Sequence, residues 1–113
     1  MENKQRNVLP LTIPNKTALH AAYMPFLKGG GLFVPTQDDY CFGDEVIVVT
    51  SIIYLDKKIA IPGKVVWISP KSGSDGKQGV GVRFFGPTQA KIKLAVESIL
   101  GELAKKPALN HNY

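Results

Sequence analysis

Arginine is scarce in this chain. Of its fourteen basic residues only Arg6 and Arg83 are arginines, and the lysines are spread along the sequence with pairs at Lys57/Lys58 and Lys105/Lys106. Nucleic-acid binders lean on arginine, whose planar fork grips phosphate with two hydrogen bonds. The net charge of +5 therefore reads as a solvated basic surface, and no nucleic-acid partner is expected. Cysteine is limited to Cys41, which excludes an internal disulfide and points to the reducing cytoplasm. With no basic neighbour in sequence, Cys41 is expected to be a small buried thiol. Histidine is nearly absent too, with His20 and, in the polar tail, His111. A Cys41/His20 pair is the only nucleophile arrangement on offer, so no catalytic residue is assigned and no enzyme is expected. The acidic group Asp38, Asp39, Asp44 and Glu45 has no calcium-loop spacing and reads as a solvated loop, so no metal or cofactor is expected. No apolar run approaches the ~18 residues of a membrane span. The opening MENKQRN has no apolar core of a secretory signal.

What is present is concentrated in one stretch. Tyr23 to Pro35, YMPFLKGGGLFVP, sets Tyr23, Met24, Phe26, Leu27 and Phe33 around three consecutive glycines, Gly29 to Gly31. Three glycines in a row cost entropy on ordering and fit where φ must be positive or another backbone comes close. The apolar residues beside them are too many for an ordinary loop. They either fold into a core or form a face kept for a partner.

The rest reads as short strands followed by one helix. Residues 1–7 are expected to be a flexible N-terminus, 8–104 a single domain, and 105–113 a flexible tail. Val8 to Ile13 alternates around Pro10, as in an edge strand. Ala18 to Tyr23 fits a short helix or a strand, and we read it as strand. Gly31 to Pro35 is a short strand, and Thr36 to Gly43 a loop. Glu45 to Tyr54 is the strongest strand signal, dense in β-branched residues. Leu55 to Lys58 reads as a hairpin break. Ile59 to Ser69 resumes as strand, with a bulge or bend expected at Pro62-Gly63. In that strand Val65 and Trp67 are expected on one face, Val66 and Ile68 on the other. Pro70 to Gly79 is loop, and Val80 to Phe85 another strand. From Thr88 to Leu103 the period changes. Ile92, Val96, Ile99 and Leu103, with Ala95 and Leu100, share one face of a helix of about four turns that Thr88 would cap. This pattern of short strands with Gly/Pro punctuation implies a mainly β barrel or sandwich.

Gly79 and Gly81 in GVGVRF superficially suggest a phosphate loop. They lie inside a β-patterned run with no helix opening there, so close approach of a neighbouring element explains them better.

Three segments carry a family resemblance. GGLFV at Gly30 to Val34, GKVVW at Gly63 to Trp67 and GVGVRF at Gly79 to Phe84, then a C-terminal helix, resemble a PilZ domain over residues 8 to 103. The resemblance implies a six-stranded antiparallel β-barrel with one attached helix. Most PilZ domains bind cyclic di-GMP through an N-terminal RxxxR and a later [D/N]xSxxG. Here Arg6 is the only arginine before Arg83 and Pro10 stands four residues on, so RxxxR is absent. Aligning GGLFV puts Phe26 at the acid or amide position and Lys28 at the serine position, and only Gly31 of the second motif remains. Guanidinium clamps and base hydrogen bonds are both lost, so direct cyclic di-GMP binding is not expected.

The sequence AAYMPFLKGGGLFVP is similar to the short, single-domain members of the family that lack the ligand motifs and act through protein contacts. That similarity implies a monomeric cytoplasmic adaptor in type IV pilus assembly and twitching motility. Its partners would be a PilB-like pilus extension ATPase and a FimX-like EAL-domain protein. A receptor with a degenerate cyclic di-GMP site is the alternative. The expected contact residues are Tyr23, Met24, Phe26 and Leu27, with Phe33, Trp67 and Phe85, because aromatic and large apolar groups dominate interface hot spots.

Overall fold

A computed structural model describes residues 7–51, 58–69 and 78–105. All but Lys105 of the expected flexible tail, most of the flexible N-terminus, the end of the expected strand to Tyr54, all but Lys58 of the hairpin break and most of the loop from Pro70 lie outside those residues.

The chain runs β1 (Val8–Thr12), α1 (Lys16–Ala22), β2 (Gly31–Pro35), β3 (Glu45–Ser51), β4 (Lys58–Ser69), β5 (Gly79–Phe84) and α2 (Gln89–Leu100), and a 3-10 turn over Gly101–Lys105 follows. The strands form one curled sheet in the order β1-β3-β4-β5-β2. β1 pairs in parallel with β3, and every other pairing is antiparallel. The mainly β expectation holds, but the sheet is a five-stranded half-barrel and not a closed six-stranded antiparallel barrel. β1 and β2 remain as its two edges.

One reason is the segment read as strand, Ala18 to Tyr23, of which all but the extended Tyr23 lies in helix α1. Asn15 caps it, its Oδ1 accepting from the Ala18 N–H at 2.8 Å. The helix ends where Tyr23 turns extended and its N–H reaches the Leu19 carbonyl at 2.9 Å. Seven residues are too few to display a 3.6-residue period, and isolated helices this short are not stable in water. Burial of Leu19 and Tyr23 in the core holds it.

Alternation along the strands separates two faces. Val46, Val48 and Thr50 of β3, Ile61 and Val65 of β4, and Val80, Val82 and Phe84 of β5 point inward, where Leu9, Leu19, Leu32, Val34, Val96 and Leu100 complete the core. β3 and β4 keep continuous register through Ile47↔Pro62, so no bulge forms at Pro62-Gly63. Pairing of β4 with β5 begins at Gly63, and on that side Pro62 takes part only as an acceptor, its carbonyl receiving the Phe85 N–H at 3.1 Å. The register shift falls instead between Val65 and Trp67. The extra residue reverses the alternation, so Val65 and Trp67 lie on opposite faces and not on one. Val65 pairs with Val82 and is buried, whereas Trp67 pairs with Gly81 on the outer face.

Helix α2 covers the inner face. Val96 and Leu100 are fully buried, Ile92, Ile99 and Leu103 are half-buried, and Ala95 is exposed. Thr88 occupies the N-cap position, but its side chain makes no cap hydrogen bond.

Candidate functional site

Tyr23 to Gly31 forms a closed turn between α1 and β2. The Met24 N–H donates to the Gly31 carbonyl at 2.8 Å, Leu27 to Met24 at 3.3 Å, and Gly30 to Leu27 at 2.8 Å. Gly29 and Gly30 have φ of 81° and 84°, which L side chains rarely adopt. The turn projects Phe26 into solvent, 58% exposed, with Leu27 half-buried and Lys28 exposed.

Either side of this turn the apolar residues divide between the two faces of the sheet. Tyr23 goes inward with its ring 2% exposed, and its hydroxyl donates to Glu97 Oε2 on α2 at 2.6 Å. Lys93 Nζ lies 3.1 Å from the same oxygen. Burial first, then the hydrogen bond and charge of Glu97, push the Tyr23 phenol well above the ordinary tyrosine range. The hydrogen bonds from Tyr23 and then Lys93 hold the Glu97 carboxyl below its ordinary value. Tyr23 is thus a tether between the turn and α2.

Met24 goes to the outer face. There β2, β5 and β4 align Phe33, Gly81 and Trp67 in one row. A Cβ on Gly81 would lie 2.7 Å from the Trp67 Cβ and 2.9 Å from the Met24 sulfur, so Met24 and Trp67 close over this glycine. A Cβ on Gly79 would lie 2.7 Å from the Phe33 Cζ, which extends the Phe33 ring over the neighbouring glycine. The expected close approach at Gly79 and Gly81 is therefore present. Met24 and Phe33 form a buried floor, and Trp67 is the flank left open, 37% exposed.

The next row holds Gly31, Arg83, Lys64 and Glu45, with Leu27 folded over Gly31. The Lys64 ammonium stands 4.4 Å from the centroid of half-buried Phe85, a cation–π contact. Of the seven residues expected at a contact surface, the structure brings Met24, Phe33 and Trp67 together. Leu27 lies one row away and Phe85 lies beside Lys64. Tyr23 stands apart in the core, and Phe26 sits on the projecting turn. The accessible apolar atoms are those of Phe26 and Trp67, with part of Leu27 and Phe85.

Elsewhere Cys41 is exposed and not a buried thiol. Its N–H is held by Asp44 Oδ2 at 2.9 Å within the loop before β3, beside Phe42, which is 69% exposed. Among the described residues no three histidine, cysteine or carboxylate side chains group as metal ligands. No helix among them is long and apolar enough to cross a membrane. The sequence reading missed the outward apolar positions of β3, Ile47 and Val49, although the alternation of EVIVVTS carried that signal.

A curled sheet, one helix across its inner face and an outward aromatic cluster define a small β-rich binding domain. Comparison with family models matches the PilZ domain over residues 4–101, and the chain belongs to this family. PilZ domains are non-catalytic effector modules of cyclic di-GMP signalling, acting as receptors or adaptors. No curated protein matches the chain significantly.

Proposed function

We propose that this domain is a non-enzymatic adaptor of type IV pilus biogenesis that does not itself bind cyclic di-GMP. It engages a PilB-like extension ATPase and a FimX-like EAL-domain protein, so that the nucleotide is sensed by the partner. The observation that carries this reading is the turn before β2. Where the family's ligand motif would place an acid or amide and a serine, this chain has exposed Phe26 and Lys28. A phenyl ring supplies no hydrogen bond to guanine, but it does supply the contact area of an interface anchor. Trp67 adds a second half-open aromatic, set beside Met24 over Gly81.

Isothermal titration of the full chain with cyclic di-GMP, beside titration with a FimX-type EAL domain, tests this. Silence with nucleotide and saturable binding to the EAL domain, weakened by Phe26→Ala or Trp67→Ala, is expected. Micromolar binding of nucleotide alone would overturn it in favour of a receptor with a degenerate site. Tyr23→Ala is a poor probe of the interface, since Tyr23 is core.

A further inference from the structure

Helix α2 turns a polar row towards the segment that carries Phe26. Gln89, Lys93 and Glu97 stand four residues apart, beside the core-facing row Ile92, Val96 and Leu100. A polar row at this spacing is ordinarily a solvated face. Here all three residues are half-buried, and each meets the turn between Tyr23 and Gly31. Gln89 lies against Gly29, where a Cβ would fall 2.7 Å from the Gln89 Cδ, and its Nε2 donates to the Phe84 carbonyl at 2.8 Å. Four residues on, the Lys93 stem passes Gly30, where a Cβ would lie 3.4 Å from Lys93 Cγ. Four further on, Glu97 Oε2 accepts from the Tyr23 hydroxyl at 2.6 Å and from Lys93 Nζ at 3.1 Å. The row therefore touches the turn where it leaves α1 and again where it approaches β2.

The turn needs such support. Gly29 and Gly30, at φ of 81° and 84°, give the backbone its widest freedom and its largest entropy cost on ordering. Its own hydrogen bonds, Met24 to Gly31 and Gly30 to Leu27, close the turn on itself. Phe26 is 58% exposed, so burial does little to fix its place.

We propose that Gln89, Lys93 and Glu97 are positioning residues, which hold the turn against α2 and so present Phe26 to its partner already ordered. An anchor ordered before contact loses less entropy on binding. The inference rests on the adaptor reading for Phe26 as an anchor, and it gives α2 a second task beside covering the core.

The test has two arms, both on the full chain. Backbone order parameters from NMR relaxation report fast motion within the native state, which a change in overall stability alone does not move. From Phe26 to Gly30 the wild type is expected near the rigid value of about 0.85. In Gln89→Ala and Glu97→Ala these values should fall towards about 0.6, with those of β3 and β4 kept. Leu94→Ala, on the open face of α2 at 69% exposure, should change nothing. In the second arm, titration with a FimX-type EAL domain should find Gln89→Ala and Glu97→Ala weakened by about two- to tenfold. In a Phe26→Ala background the same substitutions should cost nothing further, because they act through Phe26. Thermal melts of each variant check that the fold is kept. Order parameters unchanged in the folded variants, or losses that add fully to that of Phe26→Ala, would overturn the proposal. A wild type that binds no EAL domain would sink the adaptor reading, and the order parameters would still decide whether the row holds the turn.

Discussion

Removing only the hydroxyl of Tyr23 isolates the tether between the turn and helix α2. In Tyr23→Phe the ring keeps its buried place, and the lost interaction is one charge-assisted hydrogen bond of 2.6 Å to Glu97. Such bonds contribute about 1.5–3 kcal/mol when shielded from water. Glu97 is partly open to solvent, its side chain 35% exposed, and it keeps Lys93, so water and the lysine offset part of the loss. We expect destabilisation of about 1 kcal/mol, or a fall in Tm of roughly 4 °C for a domain of this size. Tyr23→Ala also deletes the buried ring and should cost about 3–5 kcal/mol.

The pH dependence makes the reasoning sharper. The Glu97 carboxyl is depressed in the folded state, so its contribution is present above the ordinary value of 4.5 and is lost as pH falls through the folded value. The Tyr23 phenol is raised in the folded state, so its contribution is present below the ordinary value of 10.0 and is lost as pH rises beyond it. In urea unfolding, the difference between wild type and Tyr23→Phe should be greatest near neutral pH and shrink towards both extremes. A variant as stable as wild type at neutral pH would refute the tether, as would a difference that does not change with pH.

Thr50, 1% exposed on the inner face of β3, has a hydroxyl with no hydrogen-bond partner among the described residues. Thr50→Val keeps the shape and removes that desolvated group, so a gain of about 1 kcal/mol is expected in urea unfolding. At Gly81 an added methyl would meet the Trp67 Cβ and the Met24 sulfur within 3 Å. Gly81→Ala should cost about 1–3 kcal/mol through overpacking and shift the Trp67 fluorescence as the cluster opens. An unchanged spectrum would mean that Met24 and Trp67 do not close over the glycine.

Most strands and α2 were legible because each follows from a local period. Alternation marks β3 and β5, and spacings of three and four residues mark α2. The family segments GGLFV, GKVVW and GVGVRF were equally plain, since glycines at fixed places record close approach whatever the surroundings. The replacement of ligand-motif residues by Phe26 and Lys28 is also a property of sequence alone.

Tertiary structure decided which side each apolar residue takes. Sequence grouped Tyr23, Met24 and Phe26 as one contact stretch, yet Tyr23 points to α2, Met24 to Gly81 and Phe26 to solvent. Three residues within four positions divide this way because the chain leaves a helix, meets β2 at the Tyr23↔Leu32 bridge and then turns. The shift between Val65 and Trp67 is likewise invisible to counting, because one extra residue reverses every later position relative to the earlier ones. Helix α1 was misread because seven residues bury too little to declare a period. The closed barrel failed for a related reason: whether strands meet around a sheet depends on contacts far apart in the chain, and no local pattern encodes them.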